Sequence, residues 1–106
     1  MAYKYYPKPL ERIVFSPEGA QPQVLFAEGQ VKIIVVGLEP GQKISVHPEG
    51  LSAFHFLDGK GVMVVDGDRL AVGPGVVIIV EDEASRGIEA ETQLKFLAVR
   101  ITELTH

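Results

Sequence analysis

The residues of this chain that could do chemistry fall in two stretches. The first holds Ser45, His47, Glu49, Ser52 and His55. His47 and Glu49 are two positions apart, so on an extended backbone both side chains leave the same face. Such a pair suits a divalent-metal site, with an imidazole nitrogen from His47 and a hard oxygen from Glu49. It also suits metal-free acid–base work by His47, whose ordinary pKa lies near neutrality. It fits equally a wall histidine in a structural hydrogen bond beside a solvated turn carboxylate. Ser52 can bind a substrate or water, or simply begin a strand. Ser45 shares a face with His47, but no Asp stands where it would orient the imidazole, so the residue types alone do not make a Ser–His–Asp triad. His55 lies at an odd offset from Ser52 and therefore faces the other way, which leaves Phe54 and Phe56 to line an interior.

The second stretch is the acidic run Glu81, Asp82 and Glu83, followed by Arg86. Three carboxylates on one short loop make a solvated rim; a Mg²⁺ or Ca²⁺ site needs more oxygens than such a loop supplies. Arg86 is a permanent cation with a planar donor fork. It can clamp a substrate carboxylate or phosphate, pair with Glu49, or sit on the surface beside its acidic neighbours, where an ion pair is worth little. Gly59, Lys60 and Gly61 form a turn rather than a phosphate loop, because no helix follows them.

These side chains must be positioned by strands. The chain has 106 residues, which implies one domain. From about residue 10 to 101 it is rich in Val, Ile and Phe, with Gly and Pro at short intervals. Strands are expected at 10–15, 23–28, 31–38, 43–47, 53–57, 62–65, 69–72, 76–80, 86–90 and 94–101, with His47 to Gly50 a bend or bulge. Asp66 and Gly67 give a strong hairpin signal. The run 76–80 has no polar residue, as a strand buried on both faces would. The corner Gly73, Pro74, Gly75 is placed to carry the chain from one sheet to another. No amphipathic helix of ten residues is present, so the strands must cover one another as a sandwich or barrel. Residues 1–9, with Tyr3, Tyr5, Tyr6, Pro7 and Pro9, read as an extended arm, 10–101 as the barrel domain, and 102–106 as a frayed tail. Aromatic residues on such an arm gain most by packing on a second subunit, so a homodimer is expected.

Composition narrows the function. There are 14 acidic and 10 basic residues, a net charge of −4, which is no footprint for nucleic acid. There is no cysteine, hence no disulfide, thiolate nucleophile or Cys-ligated metal. No apolar run approaches the roughly 20 residues of a membrane span, and the start of the chain is unlike a signal peptide. A cytoplasmic protein with no membrane partner is the expectation.

One further pattern is carried by particular residues. Pro40 and Gly41, then five residues, then His47, then Phe54 to Gly61, resembles the first conserved motif of the cupins: Gly, five residues, His-x-His, three or four residues, Glu, six residues, Gly. The segment 70–80, with Gly75 before an apolar strand, is similar to the opening of the family's second motif. The resemblance covers about residues 38–101 and implies an all-β, single-domain jelly-roll barrel of two facing antiparallel sheets. Cupins usually hold a divalent metal with two His and one Glu from the first motif and one His from the second. On those positions this chain has His47, Glu49, Ser52 and Arg86, so one of four expected ligands is present. The resemblance therefore implies the fold without a conventional metal site; a metal, if bound, would sit on His47 and Glu49. Glu49 and Arg86 are expected to face each other as an ion pair, with His47 and Ser52 adding hydrogen bonds and the guanidinium repelling a cation. The favoured function is binding of a small molecule, in particular an anion, by His47, Glu49, Ser52, Arg86, Phe54 and Phe56, with no cofactor. The alternatives are a divergent enzyme, either metal-dependent and dioxygenase- or isomerase-like or metal-free with His47 as acid–base, and an interaction module with a filled barrel.

Overall fold

The structure is a computed structural model that describes residues 2–102. Nine strands form: β1 (Gln23–Glu28), β2 (Val31–Leu38), β3 (Lys43–Pro48), β4 (Ser52–Asp58), β5 (Gly61–Val65), β6 (Asp68–Val72), β7 (Val77–Val80), β8 (Ser85–Ala90) and β9 (Leu94–Ile101). They build two sheets, one of five strands in the order β1-β2-β9-β4-β7 and one of four in the order β3-β8-β5-β6. Every pairing is antiparallel. The corner Gly73 to Gly75 does join the two sheets, since β6 lies in one and β7 in the other. No helix among the described residues is long and apolar enough to cross a membrane.

The core lies between the sheets because the strands alternate. In β9, Leu94, Phe96 and Ala98 are buried while the residues between them are partly exposed. In β4, Ser52 and Phe56 are buried and His55 is exposed. Leu38, Phe56, Met63, Leu94 and Phe96 are almost fully buried. Each such large apolar side chain contributes about 1.5–3 kcal/mol relative to an exposed one.

Two strand expectations are corrected. Residues 10–15 are not a strand: Pro9–Arg12 is a 3₁₀ helix, and only Val14 makes a single bridge, to Gln21. The apolar residues there cover the outer face of the five-stranded sheet. A Cβ at Gly37 would overlap Ile13 Cγ2, and the Phe15 ring lies as close. The strand at 76–80 is not buried on both faces. β7 is an edge strand, and its outer residues Val77 and Ile79 are exposed.

The arm packs on its own chain where Tyr6 donates a hydrogen bond to the Leu25 carbonyl (2.7 Å) and its ring lies under the Arg12 guanidinium (5.4 Å). Tyr3 and Tyr5 are exposed. Of the tail expected at 102–106, the part beyond Thr102 lies outside the described residues.

Candidate functional site

Register brings the polar residues together at one end of the barrel. Across the five-stranded sheet Lys32 pairs with Arg100, and Arg100 with Ser52. Across the four-stranded sheet His47 pairs with Arg86. Paired residues project from the same face, so two polar rows meet at one mouth, and Glu49 joins them from the turn between β3 and β4. The ladder shifts between Ile44 and His47, just before the bend expected at His47 to Gly50. Beneath the mouth is a cavity of about 270 Å³. Its walls are Ile34 and Val36 from β2, Ile44 from β3, Phe54 from β4, Ile88 from β8, and Phe96 and Ala98 from β9. Phe54 and Phe96 meet at 6.1 Å between ring centroids. Phe56 packs against the Phe96 ring in a tilted arrangement (5.3 Å between centroids) within the core and, contrary to expectation, does not line the cavity.

Glu49 and Arg86 are neighbours but not the ion pair expected from the sequence. The Glu49 carboxylate instead takes a hydrogen bond from Arg100 Nη1 and lies 2.8 Å from His47 Nε2. Arg86 is only 3% exposed and spends its donors on the backbone. Its Nε donates to Ala84 O, its Nη1 to Gly50 O and Ser52 Oγ, and its Nη2 to the carbonyls of Glu49, Glu81 and Ala84, at 2.6–3.1 Å. The guanidinium thus pins the acidic loop, the β3–β4 turn and the start of β4 together. Burial acts against its charge, while Glu49 and Asp82 favour it. Ser52 both begins a strand and serves as one of these acceptors, and its hydroxyl donates on to Gly50 O (3.1 Å).

His47 sits between two acceptors. Its Nδ1 is 2.7 Å from the Ser45 carbonyl and its Nε2 faces Glu49. Both ring nitrogens carry a proton only in the imidazolium, so the Ser45 carbonyl first and Glu49 second raise the His47 pKa. Burial alone would raise the Glu49 pKa, but the His47 hydrogen bond and the Arg100 charge outweigh it and lower it. The His47 contribution to stability is therefore complete below the unfolded imidazole value and is lost as pH rises through the higher folded value. The Glu49 contribution is present above the unfolded carboxylate value and is lost as pH falls through the lower folded one. Glu49→Gln is expected to lower the His47 titration midpoint in an NMR pH titration of the ring protons. An unchanged midpoint would show that Glu49 does not hold the proton. As a general base, His47 would first have to give up the proton that both neighbours hold.

The donor set does not fit the divalent metal that the resemblance to the cupins implies. Among the described residues no group of three or more His, Asp or Glu side chains could hold one. His47 and Glu49 are already bonded to each other, Arg100 takes the second Glu49 oxygen, and the Arg86 guanidinium stands opposite. Two residues of the site escape a reading based on family positions: Lys32 and Arg100. Strand alternation points to both, because Lys32 shares parity with Ile34 and Val36, and Arg100 with Phe96 and Ala98.

With the two sheets, the mouth and the inward-facing rows described, likeness to solved structures decides the architecture. A protein described as an RmlC-like cupin from Desulfovibrio desulfuricans superposes with a TM-score of 0.82 at 24% identity, over 92% of this chain and 95% of that one. The chain has the cupin fold. A conserved protein of unknown function from Streptococcus pyogenes is similar to the same extent, with a TM-score of 0.84 at 17% identity over 99% and 93% of the two chains. The chain also superposes on part of a salicylate 1,2-dioxygenase from Pseudoaminobacter salicylatoxidans, with a TM-score of 0.74 at 18% identity, over 81% of this chain and 25% of that one. These likenesses are of fold alone. No protein-family model matches the sequence, and no curated protein matches it.

Proposed function

We propose that this cupin domain binds a small organic molecule, with an apolar body between the sheets and an anionic end at the mouth. One observation carries the reading: the barrel is not filled. Its cavity is apolar at depth and polar only where the two rows of charged residues meet. Ligand sites commonly combine a concave apolar wall with a few convergent polar groups. A filled barrel serving only as an interaction module has no use for such a cavity. The volume is below the usual 300–1,000 Å³ range, so the ligand is small. At about 30 Å³ per water it corresponds to a molecule of about ten non-hydrogen atoms.

Octanoate and octanol are suitable probes of that size. Titration of either into ¹⁵N-labelled protein is expected to shift the amides of Ile34 and Ala98, which line the cavity from adjacent strands. Ala98→Phe, which puts a ring into the space, should abolish the shifts. Amides that stay still with both probes would overturn the proposal.

A further inference from the structure

Resting on that reading, we infer that the anionic end of the ligand is one carboxylate, gripped by the Nε–Nη2 edge of Arg100 with Lys32 as a second cation. A guanidinium has two edges that can hold a carboxylate in two parallel hydrogen bonds. Glu49 binds Arg100 at Nη1. On the opposite edge, Nε is buried and has no hydrogen-bond partner among the described residues. A buried N–H left unpaired is destabilising, and a ligand oxygen at this edge would remove that penalty. Arg86, the position that family spacing singles out, is not the anchor, because its three nitrogens are already committed to carbonyls and to Ser52.

Lys32 completes the arrangement. It is the direct register partner of Arg100 on β2, lines the same cavity, and makes no hydrogen bond or ion pair among the described residues. One unpaired fork edge and one ammonium match a single planar oxyanion. Glu49 then acts as a positioning residue: it holds the guanidinium from the far side while contributing a negative charge that disfavours a second anionic group. The apolar walls directly below take the rest of the ligand, so the class is a monocarboxylate with a short aliphatic or aromatic body.

Affinities of octanoate and octanol, measured by calorimetry on the full chain, test this. The two share a chain length and differ in charge. The unmodified protein should prefer octanoate by about tenfold or more, the scale of one charge-assisted pair. Arg100→Lys keeps the charge but loses the fork, and most of the preference should disappear. Lys32→Met should weaken octanoate severalfold; it alters a half-buried position at the mouth and guards against misfolding of the Arg100 variant. Both variants should change octanoate affinity more than octanol affinity, so the ratio of the two affinities is the readout. Equal affinity for the two probes in the unmodified protein, or a preference that survives in both variants, would overturn the inference and leave the binding proposal standing. Failure of both probes to bind would overturn the two together.

Discussion

Arg86→Ala is expected to destabilise the domain by about 3–5 kcal/mol, the scale found when one partner of a buried charged network is removed. The guanidinium satisfies the carbonyls of Glu49, Gly50, Glu81 and Ala84 and the hydroxyl of Ser52 at once. Being 3% exposed, it leaves little room for water to replace it. Arg86→Met should be at least as damaging, because it fills the space without supplying a donor. Arg86→Lys keeps the charge on a single nitrogen and cannot reach acceptors on three segments, so it should recover less than half of the loss. Urea unfolding of the three variants measures this. A loss below about 1 kcal/mol for Arg86→Ala would mean that solvent satisfies the carbonyls and that the guanidinium is not the staple described above.

A comparable loss should follow Gly59→Ala, for a backbone reason. Gly59 has φ +87° and closes the turn between β4 and β5. A Cβ there would overlap the Gln93 carbonyl oxygen and crowd Leu94 Cα, just where β9 begins. Left-handed strain costs about 1–2 kcal/mol, and displacing backbone in a packed region adds a further 1–3 or so. Gly41 is the control, because it has φ +85° with nothing within 4 Å of the added carbon. Gly41→Ala should therefore show the strain alone. Thermal unfolding should separate the two variants by several degrees for a domain of this size. Equal midpoints would show that crowding at Gln93 is relieved without cost.

Much of the fold was legible because punctuation and alternation agree from Gln23 onward: nine of the expected strands fall within a residue or so of β1 to β9. Residues 10–15 failed because Ile13 and Phe15 are apolar for a different reason. They seal the outside of a sheet, and composition does not distinguish a cover from a strand. The burial expected of 76–80 failed, though the strand is there, because an unbroken apolar stretch reports hydrophobicity rather than burial, and β7 spends part of it on exposed Val77 and Ile79. At the site, family spacing put His47, Glu49, Ser52 and Arg86 around one mouth, and the structure brings them together there. It could not say which cation the Glu49 carboxylate would choose. That choice depends on Arg100, brought in from β9 by strand register.

The sheet order has a consequence for how the protein is made. β9, the last of the nine strands among the described residues to leave the ribosome, lies between β2 and β4 at the centre of the five-stranded sheet. Until it arrives, β2 and β4 each carry an unpaired apolar edge, and the sheet holding Lys32 and Ser52 is split into β1-β2 and β4-β7. The four-stranded sheet is complete one strand earlier, since β8 closes it. Synthesis thus leaves two open edges waiting on one segment, a state in which a neighbouring nascent chain can supply the missing strand. Arg100, near the end of that segment, reaches the mouth only when this last gap closes.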